Sequence, residues 1–600
     1  MTAISQPEDG RTGQAGAQVA DKQEPAQASP SVPRSRLGSP VVQGCLALLI
    51  YLVVWIGTAF RPVVHHAARM LLDQKSQDPN FYVWGLRWWP YAIAHGLNPL
   101  YSSEIYAPAG HSLAWVTTAP PVAVLAIPLT LLAGPVVAFN LLTAIALPVS
   151  AWAAFVLCRR LTGNFWASLA GGAVFGFSAY EMNHGSAGQL NVIYSLMLPI
   201  IAYLVVLWRE ERISSRAFVI LAGLAITIQF YLFLETFADM TALLAISLVL
   251  GFALAGREGR PQIIRLTKVF SLAYFIALVL AAPFLAYVLN NKPPRSAKVT
   301  GMDLASLVIP RPGRTFGISW LTQAAAGPHS ISAACYVGVP LLVLAFLLAV
   351  TNWHSKLVQY MTIMLAFIML AAIGPVVYVD GHRTAKVFWA KLFHLPLVRN
   401  AYPLRLMLFA YLILAVATAL WLAGPAKRVP WARWGLGALV VLFVALDSFP
   451  IKLTAHTTEP VFISSGQYRR QLAPGEIVVV ISNVGNAGML WQAQSGFYMR
   501  IAGGFINAGL NHRTDLPKPV QDLASASPSR VATFESFVKT DHIGAILLDA
   551  NNEPRWVGIF HKLGLRGHRV GGVVVYPTHG CQSCHSLDKS QIGPPAPATA

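Results

Sequence analysis

The sequence predicts an all-α polytopic membrane domain of about 11 to 13 transmembrane helices, followed by a small extracytoplasmic α/β domain. Three observations predict it. Hydrophobic residues make up 55% of the 600-residue chain and charged residues only 12%, about half the roughly 25% usual for soluble domains. Apolar runs long enough to span a bilayer recur from about residue 43 to 447. From residue 448 the pattern changes to short buried-strand and helix signals.

Residues 1–40 are rich in Ala, Gln, Gly, Pro and Ser and carry no apolar periodicity. They are expected to be a disordered cytoplasmic tail. The first apolar run, 43–60, follows Arg34 and Arg36 and has no small-residue cleavage site after it. It is expected to be a retained anchor with its N-terminus inside. Ten further runs follow, near 136–157, 165–179, 191–208, 217–234, 237–255, 266–289, 334–350, 357–377, 404–423 and 431–447. A candidate at 113–133 is interrupted by Pro120, Pro121 and Pro128 and reads as a half-span or a kinked helix.

Lys and Arg number 44 against 25 Asp and Glu, a net charge of +19. In so apolar a chain this excess argues for contact with lipid phosphates rather than with nucleic acid. Arg159–Arg160, Arg209–Arg216, Arg257–Lys268, Lys356 and Lys427–Arg433 all become cytoplasmic when eleven runs alternate from an inside N-terminus. The membrane domain then covers 41–447, with a large first outer loop at 61–112. The soluble α/β domain, 448–592, lies outside, and 593–600 is a second disordered tail. In that domain 476–483 and 543–548 read as strands, 529–539 as a helix and 571–576 as another strand.

Ionisable groups are costly in a membrane, so their placement points to function. Nine of the twelve acids between 41 and 447 fall in outer loops or near outer span ends: Asp73, Asp78, Glu104, Glu181, Glu235, Asp239, Asp303, Asp380 and Asp447. The first outer loop is the richest stretch. Asp78 stands just before Tyr82, Trp84, Trp88, Trp89 and Tyr91, and Glu104 follows. The aromatics suit a helix in the headgroup layer. Lipid-linked substrates present their phosphate and first sugar at that depth.

Near the C-terminus, Cys581-Gln582-Ser583-Cys584-His585 has the spacing of a c-type haem attachment site. Only fifteen residues follow His585 and none is Met. That is too little chain to bury a haem and supply a second axial ligand. A metal, a local disulfide or an incidental spacing are the alternatives.

Together these residues resemble the GT-C superfamily of polytopic glycosyltransferases, which take sugars from polyprenyl-phosphate carriers, and a bacterial branch of it. The resemblance runs over about 45–590. It is carried by the first outer loop, by Arg159-Arg160-Leu161-Thr162-Gly163, and by Phe177-Ser178-Ala179-Tyr180 with His184 and Gln189 after it. It continues with Ile309-Pro310-Arg311-Pro312, Tyr336-Val337-Gly338-Val339-Pro340, the run from Val398 and Arg399 to Arg405, and Met489-Leu490-Trp491-Gln492. It implies an integral cell (inner) membrane enzyme. The enzyme would transfer a hexosyl or pentosyl group from a polyprenyl-phosphate donor to an extracytoplasmic glycan, lipid or protein.

Glycosyl transfer to a hydroxyl needs a base near the membrane boundary, and Asp78 is the first candidate, with Glu104 the second. The leaving lipid phosphate needs cations, which Arg311, Arg399 and Arg405 would supply. Trp88, Trp89, His184 and Gln189 are the remaining expected substrate contacts. Members commonly pair two acids in this loop; Asp78 has no adjacent acid, so no metal site is assigned and a divalent ion stays an open alternative. The competing class is a transporter or lipid flippase without covalent chemistry. Such a protein would place ionisable groups near the midplane, in two matching halves.

Overall fold

Proline, glycine and small-residue punctuation decides where the helices of this chain begin, end and approach one another. The computed structural model describes residues 38–64, 66–73, 78–116, 118–291, 301–309, 334–394, 402–424, 430–448, 454–457, 460–482, 485–504, 516–523, 528–549 and 554–578. The expected tails at 1–40 and 593–600 therefore lie almost wholly outside the described residues. Everything below concerns the compact unit Gly44–Ala600.

Among the described residues, seven helical spans are long and apolar enough to cross a membrane: Pro40–Thr58, Pro135–Thr162, Leu190–Arg209, Ser215–Leu232, Leu234–Leu254, Gly256–Leu289 and Pro403–Ala423. Four apolar helices, Phe165–Gly176, Val339–Thr351, Lys356–Ala372 and Trp431–Leu442, are shorter. The protein is thus a multi-pass membrane protein. The eleven helices match the eleven apolar runs, and two of them, Phe165–Gly176 and Lys356–Ala372, stop before their runs end. The run at 165–179 ends as a helix at Gly176 because Ser178 caps a new helix two residues later. The 113–133 candidate forms two short helices, Pro120–Leu125 and Ile127–Ala133. Neither approaches the roughly 20 residues that a crossing requires.

Four helices frame the site. Helix α1 is Asp78–Ala94, α2 is Pro135–Thr162, α3 is Phe165–Gly176 and α4 is Ala179–Ser186. Pro135 opens α2, Arg159 and Arg160 complement its C-terminal dipole, and Gly163, at φ +66°, turns the chain. Asn164 then caps α3 by accepting from the Ala167 amide at 3.0 Å. Small residues let α3 press against α2: a Cβ on Gly176 would overlap Ala151. Close backbone approach of this kind is how helices associate in lipid, where burial of apolar surface supplies no drive.

The C-terminal region carries a five-stranded mixed sheet. Its strands are β1 Ile477–Ile481, β2 Arg500–Ile501, β3 Ile543–Asp549, β4 His568–Val570 and β5 Val573–Pro577, in the order β4-β5-β3-β1-β2. Strand β1 runs parallel to β2 and β3, while β5 is antiparallel to both β3 and β4. Helices α5, Ala487–Gln494, and α6, Pro528–Thr540, belong to the same region. Every residue of β1 is buried, as expected for an Ile/Val-only strand in a sheet covered by helices.

The long loop 61–112 is built into this sheet. The Ile501 amide donates to Glu104 O at 2.9 Å, Ala107 N to Ile501 O at 3.0 Å and Tyr106 N to Gly503 O at 3.0 Å. Residues 104–107 thus extend the β2 edge. A second join pairs Met70–Asp73 antiparallel with Thr454–Thr457. Hydrogen-bonded backbones must share one side of the membrane. The first loop and the C-terminal sheet therefore lie on the same side, which demands an even number of crossings between them. Among the described residues, ten apolar helices lie between residues 135 and 448.

The tryptophans of α1 correct one expectation. Trp84 is fully buried and Trp88 is 1% exposed. Their rings stack at 5.4 Å and meet Phe497 edge-on at 6.0 and 5.7 Å. The Trp84 indole N–H donates to Gln492 Oε1 at 2.8 Å. Trp84 and Trp88 thus pack against the C-terminal region and do not present their rings to lipid headgroups. Burying each ring against protein, with its N–H satisfied, outweighs interfacial placement.

Candidate active site

Asp78 opens α1, and Asn80, two residues on, fixes that end by donating Nδ2 to Gly485 O at 2.7 Å. Opposite stands α4, whose cap Ser178 accepts the Glu181 amide at 3.3 Å. After α4 the chain reverses at Gly188, with φ +66°. A Cβ there would come 2.6 Å from Pro79 Cγ and 3.2 Å from Phe139 Cζ, so glycine is required for shape as well as for conformation. The reversal swings Gln189 back onto α1. Its Nε2 donates to Asp78 Oδ2 at 2.6 Å, and its Oε1 meets His184 Nδ1. The His184 ring leans on Tyr180, centroids 4.5 Å apart.

A second cluster adjoins the first. Arg405 lies in the 3-10 turn Pro403–Leu406, which leads into the span ending at Ala423. Its guanidinium is 2.8 Å from Glu235 Oε2 and lies over the Phe233 ring at 4.3 Å and the Tyr402 ring at 5.4 Å. The Tyr402 amide donates to Glu235 Oε1 at 2.7 Å. Asp239 stands one helical turn after Glu235, at the same end of the span Leu234–Leu254.

Tyr82 links the two clusters. Its hydroxyl bonds Asn191 Oδ1. Burial and the Asp78 charge push its pKa up, while Arg405 pulls it down. Burial, then the Arg405 charge, holds His184 at a pKa of about 4, against the opposing Gln189 hydrogen bond. The imidazole is therefore neutral at physiological pH.

The structure thus brings together four expected site residues from three distant stretches: Asp78, His184, Gln189 and Arg405. Glu104 is apart from them. It lies among Ser103, His95 and Arg500, where burial raises its carboxyl pKa and Arg500 and His95 counter the rise. His95 directly follows α1, so seventeen residues of rise, roughly 25 Å, separate that neighbourhood from Asp78. Trp88 donates its indole N–H to Pro99 O at 2.9 Å, and Trp89 donates to Thr118 Oγ1 at 3.0 Å. Both serve packing contacts around α1. Arg311, Arg399, Cys581, Cys584 and His585 lie outside the described residues, as do Lys292, Arg295, Lys298 and Arg314. Among the described residues no three His, Cys, Asp or Glu side chains converge to hold a metal.

Tyr82, Tyr180, Asn191 and Tyr402 were not singled out as site residues. Spacing held a signal for two of them: Tyr82 is i+4 from Asp78, and Tyr180 is i−4 from His184. Glu181, one of the acids near the outer span ends, makes no hydrogen bond to the Asp78 chain among the described residues. It is fully buried, neither oxygen has an aligned hydrogen-bond partner, and burial raises its pKa well above 4.5 against help from the Ser195 hydroxyl. A carboxyl whose folded pKa is raised contributes stability that is full below its unfolded pKa and is lost as pH rises through the folded value. Glu181→Gln removes that linkage. The melting temperature of the variant relative to the parent is expected to climb as pH rises from about 4.5 to 8. A pH-independent difference in detergent-solubilised protein contradicts this.

No curated protein matches the sequence. Among solved structures the chain resembles the arabinofuranosyltransferase AftD from Mycobacteria, with TM-score 0.54, 14% identity, and coverage of 89% of this chain and 39% of that one. It resembles the apo Archaeoglobus fulgidus oligosaccharyltransferase with TM-score 0.50, 12% identity, and coverage of 86% and 70%. ArnT from Cupriavidus metallidurans, bound to undecaprenyl phosphate, aligns with TM-score 0.48, 12% identity, and coverage of 91% and 99%. The chain spans only about two fifths of the mycobacterial enzyme's length. The chain shares its fold with the first two of these structures. Residues 45–446 match the family described as Domain of unknown function (DUF6311), and the chain belongs to that family.

Proposed function

We propose that the chain is an integral-membrane glycosyltransferase. It moves a sugar from a polyprenyl-phosphate donor to an extracytoplasmic glycan, lipid or protein acceptor, with Asp78 as general base. The observation that carries this reading is the convergence of Asp78, held by Gln189 at 2.6 Å, with the Arg405–Glu235 pair, in a fold shared with two glycosyltransferases.

The chemistry follows from the charges. An acceptor hydroxyl oxygen bonds to the anomeric carbon as the bond from that carbon to the lipid phosphate oxygen breaks. Asp78 takes the hydroxyl proton, and the electron pair leaves with the phosphate. In this reading Arg405 meets the developing phosphate charge; the Glu235 pairing, which would set its orientation, supports the assignment. A transporter is less well supported. Asp78, Arg405, Glu235 and Asp239 gather in a loop and at span ends, whereas transport sites favour the midplane.

Deletion of the gene, followed by lipid and glycan profiling, tests the reading. One polyprenyl-phosphate sugar is expected to accumulate while a matching surface modification disappears. Unchanged profiles beside a solute-uptake defect would favour the transporter. The side shared by the first loop and the sheet is taken as the outside, because the arginine-rich short connections lie opposite. A C-terminal alkaline phosphatase fusion is expected to be active, and an inactive fusion beside a fluorescent cytoplasmic reporter would reverse the orientation.

A further inference from the structure

The hydrogen-bond directions around Asp78 determine one another. A carboxylate only accepts, so the Gln189 group 2.6 Å from Asp78 Oδ2 is the amide nitrogen. The amide oxygen then faces His184 Nδ1, which must carry the proton. His184 is neutral, so its other nitrogen, Nε2, is a bare acceptor. Each donor in the chain His184 to Gln189 to Asp78 points at the carboxylate. Two further features lock the chain in place. Gly188 is wedged against Pro79 at the foot of α1, and the His184 ring rests on Tyr180, which is fully buried.

We propose that Gln189 and His184 are positioning residues that aim the Asp78 carboxylate and hold it ionised, and that they are not substrate contacts. Gln189 spends an amide N–H on Asp78 and its oxygen on His184, so the bonds it makes toward α1 serve the carboxylate. The proposal gains its catalytic meaning from the general-base reading of Asp78, but its test does not require that reading. The charged and titratable groups around the chain are Tyr82 on α1, Tyr180 and Glu181 on α4, Arg405 and Tyr402 at the next span, and Glu235 and Asp239 opposite them. Among these described groups Arg405 carries the positive charge, and the Gln189 donor is a neutral support for an ionised Asp78.

The experiment is an infrared titration of the full-length protein in nanodiscs, following the protonated-carboxyl band that is lost in Asp78→Asn. Gln189→Met keeps length and volume but removes the donor. It should move the Asp78 midpoint up by roughly one pH unit, the usual scale for losing a hydrogen bond to the charged form. His184→Phe keeps the ring against Tyr180 but frees the Gln189 amide, and it should move the midpoint the same way by less. His184→Asn places an amide N–H where Nδ1 stood and should restore the parental midpoint. This rescue separates positioning from any direct use of Nε2, which asparagine lacks.

An unchanged midpoint in Gln189→Met overturns the proposal, as does His184→Asn behaving like His184→Phe. If Gln189→Met fails to accumulate, the two His184 variants decide alone. Retained sugar transfer in Asp78→Asn would sink the general-base reading and leave the titration result standing.

Discussion

Asp78→Asn is expected to lower sugar transfer by roughly 10²–10⁴-fold, the usual contribution of a positioned general base. The amide keeps the size of the side chain and can still meet Gln189 by turning its oxygen toward Nε2, but it cannot accept a proton. Asp78 is half-exposed at the start of α1, and no core packing is removed, so accumulation and thermal stability should change little. Glu104→Gln is the matched control. Its carboxyl lies near Arg500 and His95, at the far end of α1, and the substitution should leave turnover within a few-fold of the parent. Abolished transfer in Glu104→Gln beside normal transfer in Asp78→Asn would move the base to the other end of the helix.

Arg405→Met should have the second large effect, on stability and on turnover together. The guanidinium faces Glu235 at 2.8 Å, and each side chain is only about one fifth exposed. Removing the cation leaves the Glu235 carboxylate at a span end without its counter-charge. Breaking a buried pair on one side costs about 3–5 kcal/mol, and the residual exposure puts this case near the lower figure. The variant should melt at markedly lower temperature and lose transfer. Adding Glu235→Gln removes the orphaned charge, so the double variant should regain much of the stability without regaining activity. Arg405→Lys keeps the charge but loses the planar stacking over Phe233 and should fall between the two. Full activity in the double variant would show that Arg405 serves the fold alone.

The membrane architecture was legible because hydropathy reports a solvent: every helix in lipid must be apolar along its whole length. Helix ends were less legible. Local caps such as Ser178 and Asn164 stop helices that the apolar run alone would continue. The C-terminal strands at 477–481 and 543–549 were readable from Ile/Val runs bounded by polar residues. The join between the first loop and the sheet edge was not. It is made by backbone amides and carbonyls at 104–107 and 501–503, which carry no residue-type signal.

The same distinction governs the site. Asp78, His184, Gln189 and Arg405 stood out as polar residues at the ends of apolar runs, where their cost demands a use. The burial of Trp84 and Trp88 was hidden because an interfacial tryptophan and one at a protein–protein interface share the same amphipathic chemistry. Their true partners, Gln492 and Phe497, lie some four hundred residues away along the chain.

The central claim is that this chain discharges a lipid-linked sugar through Asp78. The most direct measurement adds purified protein in nanodiscs to membranes of the deletion strain and follows the polyprenyl-phosphate pool by mass spectrometry. The parent protein is expected to consume the accumulated polyprenyl-phosphate sugar and release the free polyprenyl phosphate, while Asp78→Asn leaves the pool unchanged over the same interval. A pool that the parent protein leaves intact, or that Asp78→Asn consumes equally fast, would contradict the account.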